Sequence, residues 1–384
     1  MHQIPIHIHN KLSQALPNSL LISKAPGRIN LIGEHTDYNL GLVLPGAIDK
    51  CMYFSFAPNG SQVINIRALD KKEEVIIDIN NLKKTAYSWA DYLVGILIEF
   101  RKIHPTIIGF DAACTSEIPI GAGMSSSAAL DCAFITGLAE LHQTQMEGWD
   151  KIYLSQRSNN GFLGVQSGIL DQFASIFGRQ DHVMYLDCDS NQYEYVQLPK
   201  SEYTWLLIDT GVKHSHLESA YNDRVYECQT AVKEIGAIYP GIRHLSHPGL
   251  LDKVASVNFS DTVYKNRAVY VIEENLRVST FVNMLRSNDL VGCGQLLYQS
   301  HKGLSKKYEV SCVELDFLVQ WTYDMTEVLG ARMMGGGFGG CTINLLHQKD
   351  IDKIIAGLSK TYYEKFGIEP VYYQVQIGDG AQVV

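Results

Sequence analysis

The sequence predicts a mixed α/β (α+β) protein of two domains, residues 1–200 and residues 201–384. With 384 residues, the chain exceeds the size at which a single hydrophobic core usually stops growing. Strand and helix patterns alternate through the first half, whereas the second half is mainly helical to about residue 329 and then returns to strands. Hydrophobic residues make up 46% of the chain and charged residues 19%, a balance typical of packed globular proteins.

The net charge of −9 and the absence of a basic block make nucleic acid and anionic membranes unexpected partners. The eight cysteines are scattered without a Cys-x-x-Cys pair, which suits reduced thiols. The N-terminus lacks the layout of a signal peptide, and no apolar run reaches the length of a membrane span. We therefore expect a soluble, cytoplasmic protein, and we take a monomer as its expected state.

A glycine- and serine-rich stretch at residues 119–130, PIGAGMSSSAAL, precedes a helical pattern. Gly121 and Gly123 carry no Cβ, so the backbone there can approach a ligand closely. Serines 125–127 place hydroxyls beside amide donors, and a turn that enters a helix N-terminus attracts anions through free N–H groups and the helix dipole. The stretch predicts a phosphate-binding loop. An ordinary loop with a serine N-cap carries about half the weight at this stage.

A second polar cluster occupies residues 27–38. Arg28, Glu34, His35 and Asp37 lie within ten residues of one another, between glycines and apolar segments. Burying an arginine and two acids is costly unless they pair with each other or with a ligand. Carboxylates and imidazole make directed hydrogen bonds of the kind that sugar hydroxyls need. We therefore favour a sugar-binding cluster over a buried Arg28–Asp37 ion pair, because the pair would leave Glu34 and His35 unexplained.

Two further residues are candidates for the same site. Asp171 lies among apolar residues near the start of a short predicted helix. A partly buried catalytic base and a carboxylate that satisfies the helix N-terminus both fit this position, and the sequence does not separate them. Tyr221 precedes a long predicted helix and is a candidate ligand contact.

Two other patterns predict structure rather than chemistry. Residues 335–340, GGGFGG, formally match G-x-G-x-x-G, but a strand follows where a dinucleotide site needs a helix. A close backbone approach to a ligand or to the opposing domain remains. His7 and His9 alternate with isoleucines, which favours the solvated face of a short strand over a metal site.

A phosphate loop together with a sugar cluster suggests phosphoryl transfer to a polar small molecule, although the chain has neither a P-loop nor a His-Arg-Asp catalytic loop. Residues 27–38 resemble the galactokinase signature, residues 119–129 the ATP-phosphate loop of the GHMP small-molecule kinase superfamily, and residues 332–341 its third motif. The resemblance to the galactokinase family implies a two-domain GHMP-kinase-like fold with the active site in the interdomain cleft. It also implies ATP and Mg²⁺, with transfer to the anomeric C1 hydroxyl of α-D-galactose.

The resemblance assigns roles to individual residues. Asp171 matches the aspartate that takes the proton from the C1 hydroxyl, and Arg28 matches the arginine that steadies the phosphoryl group and holds that aspartate ionised. Residues that match sugar contacts are Glu34, His35, Thr36, Asp37 and Tyr221. Residues that match the nucleotide site are Gly121, Ala122, Gly123, Met124, Ser125, Ser126 and Ser127, with Trp89 and Tyr92 as the aromatic pair near the base.

One departure from the family concerns magnesium. Ser127 matches the magnesium position of the loop, but the family's glutamate twelve residues before the catalytic aspartate is Asn159 here. An asparagine offers a carbonyl oxygen without the negative charge that a hard cation prefers. Three readings follow in this order: an active galactokinase, favoured by Arg28 and Asp171; a related kinase for another sugar, disfavoured by residues 34–37; and a sugar- and ATP-binding regulator with weak catalysis, supported by Asn159 alone.

Overall fold

The computed structural model describes residues 4–119, 121–212, 217–247 and 249–384. Strands β1 to β13 are Leu21–Asn30, Leu42–Val43, Pro45–Pro58, Val63–Ala68, Glu73–Asp78, Phe110–Ser116, His182–Asp187, Gln192–Gln197, Tyr203–Asp209, Val328–Met333, Cys341–His347, Val371–Gln374 and Gln382–Val383. Helices α1 to α11 are Ile6–Ala15, Ser88–Ile103, Ser126–Leu141, Gly148–Ser158, Leu170–Phe177, Leu217–Ile238, Leu250–Val254, Thr262–Arg286, Leu290–Gly303, Val313–Thr322 and Ile351–Phe366. The predicted mixture of helices and strands is confirmed.

The first sheet positions the phosphate-loop candidate. Its strand order is β13-β1-β3-β6-β4-β5, with β4 parallel to β6 and the other neighbours antiparallel. Helices α2 and α3 pack against this sheet, where Phe54, Phe56 and Phe134 are fully buried in one aromatic cluster. Helix α3 contacts β1 and β3, and the N–H of Arg28 near the end of β1 donates to the carbonyl of Met124 in the loop before α3 at 3.1 Å, which ties this loop to the sheet.

Helix α1 corrects the prediction for the N-terminal residues. The alternation of His7 and His9 with isoleucines predicted a strand, but residues Ile6–Ala15 form a helix. Ile8 and Leu12 are buried and Leu12 follows Ile8 by one helical turn, so the apolar spacing fits a helix as well as a strand. The two histidines are exposed, as expected of a solvated face.

The second half contributes a sheet of order β10-β11-β9-β12, in which all neighbours are antiparallel. Helices α9 and α10 contact β10, and a small third sheet has the order β2-β7-β8. The strands of the second sheet lie between Tyr203 and Gln374, and the domain boundary at residue 200 stays a prediction. The chain's last strand, β13, does not belong to this sheet, because it pairs with Ser23 and Lys24 of β1 in the first sheet. None of the helices in the described ranges is long and apolar enough to span a membrane.

Candidate active site

A cleft of about 640 Å³ brings the predicted motifs together. Its first wall comes from the end of β1, the loop before α3 and the start of α5, and its second wall comes from α6 and the glycine-rich segment after β10. The predicted site residues that line it are Arg28, Glu34, His35, Asp37, Tyr92, Gly121, Gly123, Met124, Ser125, Ser126, Ser127, Asn159, Asp171 and Tyr221.

Arg28 and Asp171 form the charged centre of the cleft. The Nε atom of Arg28 donates to Oδ1 of Asp171 at 2.7 Å, and its Nη1 atom donates to the carbonyl of Gly123 at 2.6 Å. The arginine side chain is 6% exposed and that of Asp171 is 36% exposed, so the guanidinium is buried while the carboxylate faces the cleft and its water. Asp171 lies in the first turn of α5, yet its carboxylate binds Arg28 rather than the helix amides. The arginine thus pairs with Asp171 and not with Asp37.

The loop before α3 is a tight turn with glycines where the backbone requires them. Gly121 and Gly123 have φ of 82° and 70°, values that favour residues without a Cβ. Ser125 occupies the N-cap position with φ of 56°, but its side chain makes no capping hydrogen bond. Its hydroxyl instead donates to Oδ2 of Asp171 at 2.6 Å, so the simple serine N-cap does not describe this loop. Ile120, within the predicted loop, lies outside the described residues.

The glycine-rich segment at residues 335–340 packs directly on this loop. A Cβ on Gly335 would lie 3.6 Å from the carbonyl oxygen of Gly123, and a Cβ on Gly340 would lie 3.8 Å from the amide of Gly123. At Gly337, with φ of 83°, a Cβ would lie 2.0 Å from the carbonyl of Val310. The close backbone approach expected of this segment is therefore present, and it closes the second wall of the cleft.

Arg332 is a functional candidate to which the sequence analysis gave no role. It is fully buried on β10, and its Nη1 atom lies 3.2 Å from Oε1 of Glu34. Its Nε and Nη2 atoms donate to the carbonyls of Leu31 and Asn30. The N–H of Gly335 also donates to Oε1 of Glu34 at 2.7 Å. Arg332 and Gly335 of the third motif therefore hold Glu34, one of the predicted sugar-binding residues. The only sign of this role in the sequence was a single arginine shortly before a run of glycines.

His35 is enclosed by tyrosine rings. Its Nδ1 atom lies 2.8 Å from the hydroxyl of Tyr38, which lies 2.7 Å from the hydroxyl of Tyr308. The ring of Tyr221 lies 5.7 Å from the imidazole. Burial, with a smaller contribution from nearby positive charge, lowers the pKa of His35 to about 3, so the ring is neutral at physiological pH.

Asp37 faces the cleft beside a glycine that leaves room for it. A Cβ on Gly168 would lie 1.8 Å from Oδ2 of Asp37, so a larger residue at 168 would displace the carboxyl. Burial, followed by the negative charge of Asp171, raises the pKa of Asp37 to about 7, although the backbone amides of Tyr38 and Leu170 oppose the rise. A carboxyl group with this pKa can both donate to and accept from sugar hydroxyls.

Three predicted site residues lie away from the cleft surface among the described residues. Thr36 is fully buried, and its hydroxyl lies 2.8 Å from the carbonyl of Gly33 and 2.7 Å from that of Leu42, where it shapes the turn. The indole Nε1 of Trp89 donates to Glu73 at 2.6 Å, and Ala122 is buried in the core. Their roles as sugar or nucleotide contacts stay predictions.

The predicted magnesium position consists of a hydroxyl and an amide. Ser127 opens onto the cleft at the start of α3, whereas Asn159, at the end of α4, is only 6% exposed. The Nδ2 atom of Asn159 donates to Oδ2 of Asp131 at 3.2 Å, and Ser155 donates to the same oxygen at 2.7 Å. Burial raises the pKa of Asp131 to about 7. In the described part of the chain, Oδ1 of Asn159 has no hydrogen-bond partner.

Comparison with known proteins identifies the family. The model of the galactokinase galactose-binding signature matches residues 10–58, and the models of the GHMP kinase N-terminal and C-terminal domains match residues 91–179 and 281–364. The galactokinase of Thermosipho africanus is 40% identical over 361 residues, which cover 93% of this chain and 98% of that protein. The chain belongs to the galactokinase family.

Other galactokinases agree in sequence and in structure. The galactokinase of Thermotoga maritima is 37% identical over 94% of this chain and 99% of its own length. The crystal structure of Lactococcus lactis galactokinase, complexed with galactose, superimposes with a TM-score of 0.92 at 30% identity, over 97% of this chain and 98% of the other. The predicted two-domain GHMP kinase fold is thus confirmed for this member of the galactokinase family.

Proposed function

We propose that the protein transfers the γ-phosphoryl group of ATP to the anomeric C1 hydroxyl of α-D-galactose, forming galactose 1-phosphate and ADP. The guanidinium of Arg28 carries the proposal, because it binds Asp171 and the carbonyl of Gly123 at once. One cation thereby joins the proposed base to the proposed phosphate loop. Membership of the galactokinase family supports galactose as the acceptor.

The sugar half of the site consists of Glu34, His35, Asp37 and Tyr221, which line the cleft together. Neutral His35 and Asp37, whose pKa is about 7, can each donate and accept hydrogen bonds. Sugar hydroxyls need such partners because each hydroxyl is itself both a donor and an acceptor. The buried ion pair between Glu34 and Arg332 fixes one side of this pocket before any ligand arrives.

In the proposed reaction, Asp171 takes the proton of the C1 hydroxyl while the sugar oxygen attacks the γ-phosphorus and the bond to ADP breaks. Oδ2 of Asp171 already accepts from Ser125, and its second lone pair remains for the sugar proton. Arg28 contacts both Asp171 and the proposed phosphate loop, so its charge would stabilise the negative charge on the transferring phosphoryl oxygens. Alignment of the two substrates and neutralisation of phosphate charge account for most of the rate enhancement, and a general base increases the rate by a further factor of roughly 100 or more.

The residues at the predicted metal position fit a magnesium ion that arrives with ATP. Ser127 offers a hydroxyl to the cleft, and Asn159 in the cleft wall has a buried carbonyl oxygen, Oδ1, without a partner among the described residues. No group of three His, Cys, Asp or Glu that could hold a metal occurs in the described ranges. Mg²⁺ tolerates such a small protein donor set because it keeps several waters and binds substrate phosphates. When bound, it would neutralise phosphate charge.

The decisive assay incubates the purified protein with ATP, Mg²⁺ and a panel of hexoses, and follows ADP and sugar 1-phosphate. Galactose should be the best acceptor. Asp171→Ala and Arg28→Ala should each remove most of the activity and leave the far-ultraviolet circular dichroism spectrum unchanged. Arg286→Ala is the matched control, since that guanidinium lies about half exposed and pairs with Glu194 away from the cleft. Activity near the parent level in either cleft variant would contradict the assigned mechanism.

The same assay separates the other two readings. Faster turnover of N-acetylgalactosamine or arabinose would favour a related kinase with another acceptor. Galactose binding without turnover at saturating Mg²⁺ would favour a sugar- and ATP-binding regulator. The paired contacts of Arg28 favour the catalytic reading, because a binding protein has no need to join a base to a phosphate loop.

A further inference from the structure

Asp131 and Asn159 form a buried polar pair behind the wall of the cleft. Asp131 follows Ser127 by four residues on α3, so both lie on the same helix face, one at the cleft and one beneath it. Asp131 is fully buried, and its Oδ2 atom accepts from Nδ2 of Asn159 at 3.2 Å and from Ser155 at 2.7 Å. Asn159 itself belongs to the cleft wall.

This contact decides which end of the Asn159 amide is free. The Nδ2 end of the amide donates to Oδ2 of Asp131, which also accepts from Ser155, so the carbonyl end of the amide turns elsewhere. That carbonyl oxygen, Oδ1, is buried and has no partner within the described residues. A carbonyl oxygen is also the end of an amide that binds a hard cation or a water held by one.

The pair also explains why an asparagine, rather than an acid, suits position 159. An acid there would face the carboxyl group of Asp131 in a buried site, and two acids so placed repel each other whenever both are ionised. An amide removes the repulsion and replaces it with a hydrogen bond. Asn159 is therefore matched to its buried neighbour on α3.

We propose that Asp131 is a positioning residue for the metal site, which holds the Asn159 amide so that Oδ1 is presented to Mg²⁺ or to one of its waters. The inference rests on the proposed function, because the ion arrives with ATP. Asp131 itself contacts neither the ion nor the nucleotide. Residues that orient a ligand in this way typically contribute about 10- to 100-fold to metal affinity.

The test measures Mn²⁺ affinity by electron paramagnetic resonance, with the full-length protein and a non-hydrolysable ATP analogue, so that no turnover is needed. Asp131→Leu and Asn159→Ala should each weaken Mn²⁺ binding by roughly tenfold or more. The double variant should lose no more than Asn159→Ala alone, because Asp131 acts only through the amide. Ser155→Ala is the control: it removes the other hydrogen bond to Asp131 and should leave Mn²⁺ affinity within about twofold.

A second arm of the test moves the acid from position 131 to position 159 and looks for a recovery of stability and Mn²⁺ binding instead of a loss. Asn159→Glu alone should lower the melting temperature, whereas Asn159→Glu combined with Asp131→Asn should recover it and bind Mn²⁺ at least as tightly as the parent. Parent-like Mn²⁺ affinity in folded Asp131→Leu, or a melting temperature unchanged by Asn159→Glu, would overturn the inference. Failure of the proposed function would show separately, as absence of hexose phosphorylation by the parent protein.

Discussion

Replacing Arg332 by methionine tests whether the third motif holds the sugar pocket in place. Methionine keeps an apolar stem of similar length and removes the guanidinium. The change deletes the contact with Oε1 of Glu34 at 3.2 Å and the donors to the carbonyls of Asn30 and Leu31. Both ends of the ion pair are buried, with 0% and 4% of their side chains exposed. Glu34 would keep its hydrogen bonds from Asn30 and Gly335 but lose its countercharge.

The expected loss follows from that burial. Removing one partner of a buried ion pair costs about 3–5 kcal/mol, because the remaining charge is left uncompensated. We therefore expect Arg332→Met to lower the free energy of unfolding by at least about 3 kcal/mol. Adding Glu34→Gln should reduce that loss by about 1 kcal/mol or more, since the uncompensated charge is then absent. The galactose KM of the single variant should rise more than the ATP KM, because Glu34 belongs to the sugar half of the cleft.

Urea denaturation followed by tryptophan fluorescence measures the free energies, and steady-state kinetics measures the two KM values. Arg286→Met is the matched control, because its guanidinium is 48% exposed and its ion pair with Glu194 should contribute about 1 kcal/mol or less. A loss below about 1 kcal/mol in Arg332→Met, or an equal loss with and without Glu34→Gln, would refute the reasoning.

Three further predictions address the pocket and its support. Gly168→Ala should raise the galactose KM at least about tenfold with little change in the ATP KM, since its Cβ would lie 1.8 Å from Oδ2 of Asp37; equal kinetics would contradict this. Tyr308→Phe should lower the free energy of unfolding by about 1–2 kcal/mol, because its hydroxyl joins Tyr38 and Cys228; an unchanged urea midpoint would count against that network. The third concerns pH. The pKa of Asp131 is raised from 3.8 to about 7 by burial, so its contribution to stability is present below pH 4 and is lost as the pH rises to 7. The advantage of the parent over Asp131→Asn should therefore shrink by up to about 4 kcal/mol across that window in urea titrations, and a constant difference would contradict the assignment.

Much of the site could be predicted because many of its functional side chains lie close together in short segments of the sequence. The residues around Arg28 and the loop ending at Ser127 carry unusual side chains at close spacing, so each segment indicates a ligand by itself. Their partners could not be predicted in the same way. Asp171 lies 143 residues from Arg28, and both a catalytic base and a helix-capping carboxylate fitted its local sequence. Only the folded chain shows that its two oxygens bind Arg28 and Ser125.

Local patterns failed where two structures satisfy the same spacing or where pairing is wholly long-range. Ile8 and Leu12 fit one face of a helix, while the alternation of residues 6–9 also fits a strand, and packing against the first sheet favours the helix. Strand β13 has two residues and no periodic signal, so its pairing with β1 depends on the path of the whole second half. The ion pair of Arg332 with Glu34 is likewise long-range, because the two residues belong to different motifs.

Asn159 shows most clearly why a position needs its neighbours. Taken alone, the asparagine lacks the charge of the family's glutamate and suggests a weakened metal site. Its side chain, however, donates to Asp131 on another helix, and a glutamate beside that buried carboxyl group would lose this hydrogen bond and would repel Asp131 whenever both acids are ionised. The asparagine therefore relieves a repulsion and leaves one carbonyl oxygen without a partner in the described part of the chain. Asn159→Glu combined with Asp131→Asn places the acid at position 159 and removes it from position 131. Recovery of the melting temperature together with Mn²⁺ affinity at least equal to that of the parent would show that Asn159 is matched to Asp131 and is not simply a lost metal ligand.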